Sequence, residues 1–138
     1  MQKKAIGVLL GSMFNHLVNS LPYNKDTVWD KNKFGGMVSP FRPYPYLIFG
    51  NNESRAWRSV TFDGEHHRIT LEVYCGVVSL KKAKSCVKDI VTCLHGADFA
   101  IKGHALIEIQ YDQAEYIKTA DNTEYMVRLL FTVLTVSD

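Results

Sequence analysis

A run of strict alternation constrains this chain most. From Arg68 to Tyr74, Ile69, Leu71 and Val73 take one set of alternate positions; Arg68, Thr70, Glu72 and Tyr74 take the other. Successive side chains of a strand leave opposite faces, so the segment reads as a half-buried antiparallel strand. Upstream, Pro43-Tyr44-Pro45-Tyr46-Leu47-Ile48-Phe49-Gly50 reads as a strand opened by proline, which fits a strand start or an edge. Asn51 to Ser59, with Arg55, Trp57 and Arg58, extends that strand or forms a polar hairpin. Asp63-Gly64 is a turn signal between the two extended runs.

Helical spacing brackets these strands. Ile6, Leu9, Leu10, Met13 and Leu17 recur at one-turn intervals and predict a helix over Ala5–Val18. Gly7 and Gly11 weaken it by about 1 kcal/mol each relative to alanine, or admit a second backbone at close range. Leu21-Pro22 ends it, because the residue before proline is pushed out of the α region. Ser79 is a good N-cap for a second helix over Leu80–Leu94. Leu80, Ala83, Val87, Ile90, Val91 and Leu94 are expected to form its buried stripe; Lys81, Lys82, Lys84, Ser85, Lys88 and Asp89 form its wet face. Gly96 suits the C′ position, and His95 the negative end of the helix dipole. Two long strands close the chain, His104 to Ile117 and Glu124 to Val136, joined by Thr119-Ala120-Asp121-Asn122. The last strand is apolar on both faces, which places it near the sheet centre with helix over one side. The fold class is α+β: an antiparallel sheet with two helices packed on one face.

Between these elements lies Pro22 to Arg42, polar and long for a connection in a compact domain. Thr27-Val28-Trp29 reads as a short strand within it. Tyr23, Trp29, Phe34 and Phe41 serve either to pin it to the body or to meet a neighbouring subunit. This connection and the Asn51–Glu65 hairpin are the segments expected to be mobile.

The 138 residues suggest one domain, residues 1–138. A chain of this size buries about 68% of its unfolded surface and needs neither disulfide nor metal. A hydrophobic fraction of 46% and a charged fraction of 22% are globular values. The formal net charge of +2 is too small for nucleic-acid binding as the main activity. No stretch approaches the ~20 apolar residues of a membrane span. The start of the chain is read as helix; a signal peptide is the lesser alternative. Cys75, Cys86 and Cys93 are an odd set without CxxC spacing, read as reduced thiols of a cytosolically made protein.

No catalytic constellation stands out. His66 and His67 are adjacent and would leave an extended chain on opposite faces, poor geometry for one metal. His16, His95 and His104 lie far apart, without zinc spacing. The carboxylates are scattered, Glu72 and Glu108 being the best candidates to face one another across strands. Phosphate-cradling GxxxxGK[ST] and GxGxxG runs are absent from the sequence. The reading is no enzyme, with no catalytic, cofactor or metal-binding residue.

The order of elements from Pro43 onward resembles the tail-completion, or tail-terminator, family of long-tailed phages and gene-transfer-agent-like particles. Pro45-Tyr46 opens Leu47-Ile48-Phe49-Gly50; a polar link and Asp63-Gly64 lead to the strand His66 to Tyr74. Ser79 begins an amphipathic helix ending Cys93-Leu94-His95; Phe99-Ala100-Ile101-Lys102-Gly103-His104 and two long strands follow. The resemblance rests on order and spacing, and Pro22 to Arg42 is longer than the family's usual link.

What the resemblance implies is a structural virion protein without a cofactor. It would form a ring, commonly hexameric, that caps the tail tube and docks to the head–neck connector. Its partners would be further copies of itself, the tube protein and the connector protein, with no specific nucleic acid and no membrane. Arg55, Trp57 and Arg58 are residue types enriched in interfaces and are the candidate docking residues. Two alternatives stand beside this reading: a neck or head-completion protein of the same particle, and a small cytosolic α+β ligand-binding domain or enzyme.

Overall fold

The computed structural model describes residues 5–20, 28–30, 46–59 and 61–137. Its elements run α1 (Ile6–Ser20), β1 (Val28–Asp30), β2 (Tyr46–Arg58), β3 (Asp63–Tyr74), α2 (Leu80–Leu94), β4 (His104–Lys118) and β5 (Tyr125–Ser137). The strands form one sheet in the order β1-β2-β3-β5-β4. Strands β2, β3, β5 and β4 pair antiparallel, as expected. The short β1 differs: it lies parallel to β2 at the edge, Trp29 opposite Ile48. Most of the Pro22–Arg42 connection, and Pro43-Tyr44-Pro45 with it, lies outside the described residues.

Both helices pack on one face of the sheet. Leu9, Met13 and Leu17 of α1 and Ala83, Val87, Ile90 and Leu94 of α2 share a core with Leu47, Phe49, Ile69, Leu71, Val73, Val127, Leu129, Phe131 and Val133. Each large apolar side chain buried here contributes about 1.5–3 kcal/mol. The alternation of β3 and β5 therefore points into this core as the pattern predicts. Gly7 and Gly11 are exposed, and no described atom lies within 4 Å of where a Cβ would stand, so among the described residues no second backbone approaches there.

The caps of α2 match their residues. Ser79 Oγ accepts the N–H of Lys82 at 3.4 Å, and Gly96 takes φ +70° just past the end. His95 has a different role from the expected one. Its Nδ1 accepts the Tyr111 N–H at 3.0 Å, and Gly96 N–H donates to Ile109 O at 2.9 Å. The last turn of α2 is thus stitched to β4. His16 closes the other side, its Nε2 3.0 Å from Cys93 O and its ring against Phe99. The carbonyls left over at a helix end need such partners.

One sequence expectation fails at the β2–β3 hairpin. Asp63-Gly64 is not the turn; it is the start of β3, with Asp63 opposite Arg58 and Gly64 opposite Trp57. Gly64 is needed for space rather than for a turn: a Cβ there would stand 2.7 Å from Trp57 O and 2.9 Å from Thr135 O. The other reading of this stretch, that Asn51 onward extends the strand as a hairpin, holds. Asn52 to Arg58 is laddered onto Asp63 to Ile69. The segment is polar because thirteen residues of strand, about 44 Å, outrun a fifteen-residue helix of about 22 Å.

Candidate functional site

A register shift between Phe49 and Asn52 sets what the projecting hairpin presents. Before it, the odd-numbered Leu47 and Phe49 face the core. After it, the even-numbered Ser54 stands opposite the buried His67, and Arg55 stands opposite the outward-facing His66. One extra residue in a strand exchanges its two faces. Arg55 and Trp57 consequently share the sheet face away from the helices. Arg58 falls on the opposite side, its Nε 3.8 Å from Asp63 Oδ1. The three candidate docking residues therefore do not form one patch. Trp57 is half-buried, its ring edge-on to Phe62 at 4.9 Å. A cleft of about 220 Å³ beside it is lined by Glu53, Ser54, Arg55, His66 and Arg68.

The same outer face carries a charge ladder that sequence inspection missed. Arg128 of β5 reaches Glu115 on β4 at 2.9 Å and Glu72 on β3 at 4.0 Å. Arg68 lies 3.9 Å from Glu53, and Thr132 donates to Asp112. Glu72 and Glu108 do not face each other as an acid–base pair: Glu72 stands opposite Arg128, and Glu108 opposite Leu134. Exposed pairs of this kind contribute about 0–1 kcal/mol each, so the ladder orders a surface more than it stabilises the fold.

Behind the hairpin sits a buried polar network. His67 is fully buried, with Nδ1 2.7 Å from Ser54 Oγ and Nε2 2.9 Å from Thr135 Oγ1. Burial holds its basicity below the ordinary histidine value; Glu65 opposes this, and His66 and His104 add to it. Glu65 accepts the N–H of Ala5 at 2.8 Å, tying α1 to β3. Both ring nitrogens of His67 are engaged by hydroxyls, which suits a structural histidine rather than a ligand. The alternation of β3 put position 67 on the inner face, so its burial was legible; its partners were not.

No disulfide joins Cys75, Cys86 or Cys93. Cys75 is buried, hydrogen-bonded to the Cys86 thiol and 3.9 Å from Val73 O. The bond to Cys86, then burial, push its pKa far above the ordinary thiol value, leaving it protonated. The partner of this thiol is a second thiol, not a histidine. Among the described residues, no three His, Cys, Asp or Glu side chains converge on a point that would hold a metal ion. No described helix is long and apolar enough to cross a membrane.

The described residues thus form an α+β scaffold with a projecting hairpin and a charge-laddered sheet face. The sequence model of the family described as Tail completion protein gp17 matches residues 31–136. The chain belongs to this family and is a structural tail completion protein of the phage type. A chain of the solved "Virion of native gene transfer agent (GTA) particle" is similar in fold, with a TM-score of 0.77 and 16% identity over 99% of this chain and 100% of that one. No curated protein matches by sequence.

Proposed function

We propose that this protein forms a ring, hexameric in the particle, that caps the tail tube and joins it to the head–neck connector. It does so as a structural subunit of the tail, made in the bacterial cytoplasm, without catalysis and without a bound cofactor. The family membership supports this reading. The observation that carries it on this chain is the β2–β3 hairpin, which runs past the helical layer and presents Arg55 beside Trp57 on an uncovered face. Arginine and tryptophan dominate interface energetics because they combine large contact area with directed polar bonds. Arg55, Trp57 and Arg58 are proposed as docking residues, with Arg58 meeting its partner from the other side of the strand.

Electron microscopy of particles made without this protein tests the reading. Tails of uncontrolled length, or finished tails not joined to heads, are expected. Normal, fully joined particles would exclude it.

A further inference from the structure

Helix α2 and the outer face of strand β4 carry opposite charges. Helix α2 carries Lys81, Lys82, Lys84 and Lys88, all exposed, against the single acid Asp89. Its first turn holds no acid, and Lys81 and Lys82 sit where the helix dipole is already positive. None of the four lysines is within ion-pair distance of a carboxylate among the described residues. Lys84 Nζ lies over the Tyr116 ring at 6.0 Å, and no ion pair within the described residues accounts for the cluster. Lys81, Lys84 and Lys88 border a cleft of about 470 Å³ with Leu80 and Ser85, and Leu80 and Val78 beside it are 42% and 59% exposed.

The complement lies on the opposite surface. Glu108, Asp112 and Glu115 are all exposed on β4, at the sheet edge. The register sets Glu108 opposite Leu134 and Glu115 opposite Arg128, and Asp112 bonds Thr132, so all three lie on the face away from α2. Ile107 is 52% exposed in the same strand.

We propose that the lysine face of α2 in one copy docks on the acidic outer face of β4 in the next. The proposal rests on the ring reading above and names the two surfaces that make the ring. A helix layer meeting a sheet face is a heterologous contact, and repetition of such a contact generates a ring when the rotation closes. The exposed Val78, Leu80 and Ile107 supply apolar contact within a charged rim, the usual anatomy of an interface. A second copy fits better than nucleic acid, because the chain carries its own complementary surface and a net charge of only +2.

Zero-length carbodiimide coupling of assembled particles tests this, because it joins a lysine only to a carboxylate already touching it. Expected are copy-to-copy links between Lys81, Lys84 or Lys88 and Glu108, Asp112 or Glu115. The Lys84→Glu/Lys88→Glu variant is expected to lose at least about tenfold of that yield, as is Glu108→Lys/Asp112→Lys. A chain carrying all four changes should regain it, because the charges are swapped rather than removed. Circular dichroism checks that the variants fold, and Lys84→Gln/Lys88→Gln provides a milder pair. Copy-to-copy links through other residues would overturn these surfaces while leaving the ring reading intact. Lysine links only to another protein, or lysines protected by nucleic acid, would overturn the choice of a second copy. Particles without any self-links would sink this proposal and the ring reading together.

Discussion

Glu65 on β3 caps α1 from outside the helix: its Oε1 accepts the Ala5 N–H at 2.8 Å, sixty positions away in sequence. Ala5 O in turn accepts the N–H of Leu9 at 2.8 Å, so Ala5 stands at the helix entrance. A carboxylate there meets an orphan donor and the positive end of the helix dipole together. Glu65→Gln keeps the shape and removes the charge. It is expected to cost about 1 kcal/mol, combining dipole and charged hydrogen-bond contributions. Urea denaturation reads this directly, and an unchanged midpoint would show that the contact contributes nothing.

The buried His67 predicts a pH dependence with a definite sign. Burial is the main cause holding its folded-state value below the ordinary 6.5. As pH falls through 6.5 the unfolded chain takes up the proton first, so the neutral ring's contribution is full above 6.5 and lost toward the lower folded value. Stability should decline below 6.5, well before carboxylates titrate at about 4. His67→Gln should flatten that part of the profile. Parallel urea midpoints for both proteins across this window would rule His67 out as the cause.

Glycine substitutions should separate by environment. Gly64→Ala places a methyl group 2.7 Å from Trp57 O and 2.8 Å from Trp57 Cε3. It should destabilise by about 1–3 kcal/mol, the usual cost of overpacking, and shift Trp57 fluorescence. Gly7→Ala and Gly11→Ala have open space and should each stabilise by about 0.5–1 kcal/mol, the helix penalty of glycine. A thermal melt series checks both directions.

Charge reversal at the hairpin should affect assembly rather than folding. Arg55→Glu and Arg58→Glu should each change stability by no more than about 0.5 kcal/mol. Arg55 shares its face with Trp57, whereas Arg58 points to the other side, toward Asp63. Arg55→Glu is therefore expected to reduce joined particles more than Arg58→Glu. Counts of joined and unjoined tails by electron microscopy decide the order.

Legibility tracked the regularity of each segment. The inward row of β3, the apolar stripes of both helices and the Ser79 and Gly96 caps were readable because one period ran uninterrupted; Leu80 is the exception, 42% exposed in the first turn of α2. Strand β4 was harder. Register shifts at Leu106/Glu108 and Tyr111/Gln113 break its alternation, so Ile109, Tyr111, Ala114 and Tyr116 face the helices out of step with any single period. The Asp63-Gly64 signal misled because glycine serves close approach as readily as it serves a turn.

The sequence by itself determined an α+β chain with two one-sided helices and an alternating sheet, because burial imposes periods of 3.6 and 2 on apolar residues. It also carried the order of elements by which the family is identified. Only the tertiary structure decided which residues share a surface. The bulge after Phe49 put Arg55 with Trp57 and sent Arg58 to the other side. Pairing of β5 between β3 and β4 brought Glu72, Arg128 and Glu115 into one ladder. These outcomes depend on register, and a one-residue shift exchanges the faces of a strand without altering its composition.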